Sequence, residues 1–272
     1  MSKFYNILAL STFSLALLVT NLAAKESTNK QRSITLRELR EAYLKVNGGR
    51  QNIESVKSIK TVGRIIYADE SKDITFRTIR KRPSMIRHSM TYPNGVIREF
   101  LVNRDDVWSK LVYSNGEERS EILGESQIES LQQSARMLSP FMQTDGRSDW
   151  LELNGLESLG TPDGEIMAYR LVVLPASGLP FSEIWLDEKH YQEVLVVARN
   201  TQGASNGTAR STFYRKYDQV GGLQYATELL IYENNNKKQT IKIDEIKTNI
   251  GIFESYFNHA YFLEDTKPLE LP

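Results

Sequence analysis

From Ser58 to Lys247 the chain alternates short β-prone runs with tight-turn signals, and this repetition constrains the fold more than any other feature. Tyr92-Pro93-Asn94-Gly95 is the sharpest signal, because Asn-Gly readily takes the positive φ angles of a tight hairpin turn. Ser114-Asn115-Gly116, Pro162-Asp163-Gly164, Gly221-Gly222 and Asn234 to Asn236 repeat it, and Asp105-Asp106, Asp187 to His190 and the flexible stretch Asn200 to Ala209 separate further runs. Strands are therefore expected at about 58–67, 74–81, 84–91, 96–102, 107–113, 155–159, 165–174, 181–186, 193–199, 210–217, 223–232 and 238–247. Strands joined by such short links make an up-and-down antiparallel sheet, and a sheet this large curls toward a barrel.

Helical periodicity occurs before and between these strands. Thr35 and Glu38 form a capping box, after which Leu36, Leu39, Tyr43 and Val46 recur every three or four residues and make one apolar stripe. Asn47-Gly48-Gly49 ends that helix, and a short amphipathic piece from Arg50 to Val56 presents Ile53 and Val56. The run Glu125 to Leu138 places Ile128, Leu131, Ala135 and Leu138 on one face of a central helix.

Several strands are apolar on both sides, as in Val194 to Val197 and Leu229 to Tyr232. A sheet with one wet face alternates instead. The second face must be covered by helices or enclose an apolar space, and the helical stripes supply such a cover. An ordinary core and a ligand cavity both satisfy this pattern.

The N-terminus has the layout of a secretory signal peptide: Lys3, an apolar run from Ile7 to Val19, then small residues, with cleavage expected after Ala24. The apolar run is shorter than the roughly 20 residues of a membrane-spanning helix, which favours cleavage. Residues 25–34 read as a polar, flexible segment and 35–272 as a single domain. Without cysteine there are no disulfides, no thiolate chemistry and no acylated N-terminal Cys. Export without cysteine suits the periplasm of a Gram-negative bacterium. Lys plus Arg equals Asp plus Glu at 34 each, so loss of Lys3 leaves a net charge near −1 and argues against nucleic acid as a partner.

Catalytic and metal signatures are missing. His88, His190 and His259 have no ligand spacing, and HExxH, paired Cys, EF-hand, GxSxG and phosphate-loop motifs do not occur. His190 follows Asp187 and Glu188, which reads as a solvated turn. The aromatic and basic run Phe213-Tyr214-Arg215-Lys216-Tyr217 could imitate a nucleic-acid platform, but export and neutral charge oppose that. No cofactor, no metal and no enzymatic activity are expected, although a hydrolase assembled from distant residues is a weaker third reading.

The segments YLKVNGGRQNIESVKSIKTVGRI (Tyr43 to Ile65), IWLDEKHYQEVLVVAR (Ile184 to Arg199) and FYRKYDQVGGLQYATELLIYENNNKKQTIKIDEIKTNIGIFESYF (Phe213 to Phe257) together resemble the outer-membrane lipoprotein-sorting protein family, periplasmic proteins related to the LolA and LolB carriers. The similarity spans about residues 40 to 255. It implies a mainly β fold with some α: a curved, incompletely closed antiparallel barrel of about 11–12 strands, with helices across the open side over an apolar cavity. It also implies a soluble carrier of lipid or lipoprotein acyl chains, monomeric, meeting an inner-membrane transporter or outer-membrane acceptor. The alternative is a periplasmic sensor that uses the same barrel to detect lipoproteins and binds a membrane partner.

Expected wall residues are Ile65, Phe76, Met90, Phe100, Leu111, Tyr169, Leu171, Trp185, Val197, Leu229 and Ile231, with Leu36, Leu39, Tyr43, Val46, Ile128 and Leu131 in the lid. A register error of one residue would invert the wall set.

Overall fold

The hairpin signals form tight turns. In the computed structural model, which describes residues 34–68, 73–144, 149–199 and 210–259, Gly95 and Gly116 take φ of 82° and 84°, while Asn234 and Asn235 take 48° and 63°. The expected signal peptide, residues 25–33 and the Asn200 to Ala209 link lie outside the described residues.

Six strands form the first block: β1 (Ser58–Tyr67), β2 (Ile74–Lys81), β3 (Met85–Thr91), β4 (Ile97–Asn103), β5 (Asp106–Val112) and β6 (Glu118–Ser120). Seven form the second: β7 (Leu151–Thr161), β8 (Gly164–Val173), β9 (Phe181–Asp187), β10 (Glu193–Ala198), β11 (Arg210–Val220), β12 (Leu223–Glu233) and β13 (Asn236–Thr248). Their order in one antiparallel sheet is β6-β5-β4-β3-β2-β1-β13-β12-β11-β10-β9-β8-β7. Every neighbour is consecutive in sequence except β1 and β13, which pair along their length and join the two blocks. With β6 and β7 at opposite edges, the sheet is open.

Among the strands, β6 and β7 differ most from the sequence pattern. The short β6 carries only polar residues, so no alternation announces it, and it brings the strands to thirteen. Strand β7 is longer than the expected 155–159, because Gly155, at φ 106°, sits at a bulge that breaks the alternation of an otherwise continuous strand.

The helices follow from this topology. Residues between β6 and β7 must travel from one edge of the sheet to the other, and they do so through α3 (Glu125–Ala135), packed on β3, β4 and β5, and α4 (Pro140–Gln143), packed on β9. The helix expected to reach Leu138 stops at Ala135. Arg136 is extended, and Ser139 starts a new cap that accepts the Met142 N–H, with Pro140 in the first turn. Before the sheet come α1 (Leu36–Val46) and α2 (Gly49–Ser55). The capping box of α1 is formed: the Thr35 hydroxyl accepts the Glu38 N–H at 3.2 Å, and Glu38 accepts the Thr35 N–H at 2.9 Å.

Residues opposite each other in an antiparallel pair share a face. The ladder therefore traces one face through Ile59, Arg80, Ile86, Val102 and Val107, and Ile86 and Val102 pack against Ala135 and Leu131 of α3. On the other half of that face, Leu171, Ile184, Leu186 and Val196 pack under Leu39 and Tyr43 of α1 and Phe141 of α4. The opposite face of the first block is covered by the C-terminal residues 250–257: Phe257, fully buried, closes over Ile79, Met85 and Leu101.

Candidate binding cavity

Between the helix-covered face and its helices lies a cavity of about 1110 Å³, beyond the roughly 300–1,000 Å³ typical of small-molecule sites. Its walls come from α1 and α2, from the stretch Glu129 to Gln143 that carries the end of α3 and all of α4, from the turn at Gly178 to Pro180, and from β1, β2 and β10 to β13.

Hydrogen bonds fasten the cover at several points. At the α1 end, the Tyr43 and Ser139 hydroxyls lie 2.7 Å apart, and the Tyr43 ring meets Phe141 edge-on at 4.8 Å. At the α2 end, Arg82 donates from Nε to the Val56 carbonyl at 2.8 Å and from a terminal nitrogen to the Ile53 carbonyl at 2.9 Å. At the end of α3, Arg80 Nε donates to the Ser134 carbonyl at 2.7 Å. Both arginines thus satisfy carbonyls that a helix end leaves unpaired.

Burial shifts the titratable groups of the wall. Arg80 is drawn down to about 10 because burial penalises its charge. Glu193 is pushed up to about 7 by burial, partly offset by the Phe141 N–H, which its carboxyl accepts at 2.7 Å, and by the Ser139 hydroxyl. Burial also raises Tyr214, Tyr217 and Tyr43, with the Glu193 carboxylate adding to the effect. Tyr217 donates to the Glu193 carbonyl at 2.6 Å. Next to this wall, His88 is held down to about 4 by burial and then by Arg80, with its Nδ1 2.7 Å from the Thr78 hydroxyl.

Of the eleven residues expected in the wall, Leu229 lines this cavity. Ile65, Phe76 and Met90 share its face without lining it, and pack in a cluster with Ile74, Ile241 and Ile243, of which Ile243 borders the cavity. Phe100 stacks beside His88 on the same face, and Leu111 pairs with Arg98 there. Ile231 also shares that face, while Tyr169 and Leu171 belong to the core under α1. Trp185 and Val197 need correction: they lie on the opposite face with Ala168, Leu195 and Phe213, the Trp185 ring under the Arg170 guanidinium at 5.5 Å.

Regular pairing with Arg170 of β8 sets the face of Trp185, and a bulge after Glu193 sets that of Val197. Glu193 pairs with Leu186 and Leu195 with Trp185, so two residues that are two apart face opposite ways. Among the expected lid residues, Tyr43 lines the cavity, Leu36 and Leu39 pack in the core below α1, Leu131 packs against Ile86 and Val102, and Val46 and Ile128 are half-buried.

The sequence reading missed Arg80, Arg82, Arg136, Glu193, Tyr214, Tyr217 and Tyr225, all in the wall. A signal existed for Arg80, which falls in phase with Ile74, Phe76 and Thr78 along β2. None existed for Tyr214 and Tyr217. They are three apart on a strand, and both reach the cavity because Lys216 between them takes a φ of 53°. The suspected His190–Asp187 pair is a turn: the imidazole is 2.9 Å from the carboxylate and largely exposed, and Asp187 also accepts the N–H groups of Lys189 and His190. No group of three His, Asp or Glu residues that could hold a metal occurs among the described residues.

No family model matches the sequence, and no curated protein matches it. Among solved structures, a DUF1329 family protein from Desulfovibrio piger aligns over 83% of this chain and 98% of its own, with a TM-score of 0.50 at 11% identity. The two chains share this fold. A putative outer membrane lipoprotein-sorting protein domain from Vibrio parahaemolyticus aligns over 83% of this chain and 98% of its own at TM-score 0.48 and 11% identity. A LolA superfamily protein from Nitrosomonas europaea aligns over 84% of this chain and all of its own at TM-score 0.48 and 13% identity. At these identities the likeness is one of fold. In this open sheet the cavity lies under the helices, over the seam of β1 and β13 and the strands next to it.

Proposed function

We propose that the protein is a periplasmic carrier that holds acyl chains of lipids or lipoproteins between the sheet and its helical cover, serving lipoprotein sorting or lipid transport at the outer membrane. The observation that carries this reading is the cavity of about 1110 Å³ under a cover held by a handful of hydrogen bonds. An acyl chain entering it is removed from water, which contributes roughly 0.8 kcal/mol per CH₂ and requires no catalytic group. The signal-peptide layout of the N-terminus supports export, and the neighbours of the same fold named for lipoprotein sorting suggest the cargo. In this reading the chain works as a monomer, loading and unloading at membrane partners.

Native mass spectrometry of protein purified from a host with intact membranes tests it. Co-purified lipid at one chain per complex is the expected result. Protein that emerges empty, and that also fails to bind an environment-sensitive apolar dye, overturns the proposal.

A further inference from the structure

Five arginines line the cavity: Arg80, Arg82, Arg136, Arg199 and Arg210. Lysine is absent from the wall, and the acids there are Glu129, Glu193 and Glu233. Elsewhere arginines find carboxylates: Arg37, Arg64, Arg98, Arg170 and Arg215 are all ion-paired. Among the described residues none of the five cavity arginines is. Arg80, Arg82 and Arg199 donate only to backbone carbonyls, which are neutral, and the Glu193 carboxyl is taken up by the Phe141 N–H and Ser139. Arg80, Arg82 and Arg199 are half-buried, and a charge partly removed from water without a counter-charge is costly, so a wall built this way favours an anion, with the exposed Arg136 adding to the positive field.

A second observation points to the same place. Gln133 Oε1, Gln143 Oε1 and the Tyr225 hydroxyl are buried side-chain polar atoms without a hydrogen-bond partner, and all three residues line this cavity. Native structures rarely leave such atoms unpaired; the Tyr225 hydroxyl can donate to an incoming anionic head, while the two glutamine oxygens, which only accept, mark a polar place without favouring an anion. The cationic and apolar parts of the wall adjoin. Arg80 reaches the end of α3 two residues before Arg136, and Ile59, which pairs with Arg80 across the sheet, packs with Val56, Ile53, Met137 and Tyr225.

We infer that the ligand is an amphiphile with an anionic head, a carboxylate or a phosphate, seated on Arg80 and Arg136 while its tail lies along Ile53, Val56 and Ile59. This rests on the carrier reading above and adds the chemistry of the head. The same wall accepts a neutral or cationic amphiphile less well, because its arginines then stay uncompensated.

Dodecanoate and dodecanol share a tail and differ in the head, so displacement of a bound apolar dye by each, below the concentration at which either self-associates, reads the preference directly. Dodecanoate is expected to bind at least about tenfold more tightly. Arg136→Gln, at an exposed position without a structural bond, and Arg80→Gln are each expected to weaken dodecanoate by about tenfold and leave dodecanol unchanged. If Arg80→Gln does not fold, Arg136→Gln decides. Equal binding of the two probes, or an undiminished preference in Arg136→Gln, overturns the anionic head while the carrier reading stands. Failure of both probes to bind overturns both. Acetate displacing dodecanoate at matched concentration would assign the site to a free anion and overturn the amphiphile.

Discussion

Glu193 is a carboxyl placed where its charge is unwelcome, and its protonation links stability to pH. Its ordinary value near 4.5 rises to about 7 in the folded chain. Between those values the folded state keeps a proton that the unfolded chain has released, so stability falls as pH climbs through this window and the loss is complete above about 7. The size is on the order of 3 kcal/mol at about 1.4 kcal/mol per pKa unit. Glu193→Gln keeps an oxygen for the Phe141 N–H but cannot ionise. Denaturant melts should find variant and parent matched near pH 4.5, with the variant more stable by that order at about pH 8; parallel pH profiles would show that this carboxyl is not the source. Tyr225 makes a smaller case. Its hydroxyl is pushed up to about 12 by burial, despite the opposing Arg82 charge, and lacks a partner. Tyr225→Phe should raise stability by about 1 kcal/mol, whereas a fall of that size would reveal a partner for the hydroxyl.

The corner between α1 and α2 depends on glycine for two different reasons. Gly48 and Gly49 have φ of 85° and 84°, where a β-carbon costs about 1 kcal/mol. At Gly48 that carbon would also fall 2.0 Å from the Gly222 carbonyl oxygen, while at Gly49 nothing lies within 4 Å. Gly48→Ala should therefore destabilise by more than about 2 kcal/mol and Gly49→Ala by about 1 kcal/mol, measured by chemical unfolding. Equal costs would mean that the β12 turn simply moves aside. This corner was legible in Asn47-Gly48-Gly49 because a helix stop is local chemistry. The same holds for the capping box at Thr35 and for β1 and β2, whose ends coincide with those read from the sequence. The cavity wall was not legible, because it depends on which way each strand faces. A bulge at β10 sends Glu193 to the helix side and Leu195 and Val197 to the other, and a positive φ at Lys216 brings both Tyr214 and Tyr217 inward. Such irregularities carry no alternation to read, and the arginines that face the cavity look from sequence like ordinary solvated charge.

In the whole molecule the two faces of the sheet are closed by different parts of the chain. Helices cover one, and residues 250–257 cover part of the other. Phe257→Ala should cost about 3 kcal/mol or more by thermal or chemical unfolding, since it opens a cavity over Ile79, Met85 and Leu101; a loss under about 1 kcal/mol would mean that this turn only rests on the sheet. The seam where β1 meets β13 has a further consequence, for time rather than for stability. Ile59 pairs with Thr248, so the first strand to be synthesised waits for the last before one of its edges is filled. Loop closure over so long a separation is slow, and strand edges left open meanwhile invite pairing with other chains. A protein of this topology completes its sheet only after β13 has been delivered. That delay makes the interval before β13 docks on β1 the moment when a folding helper matters most.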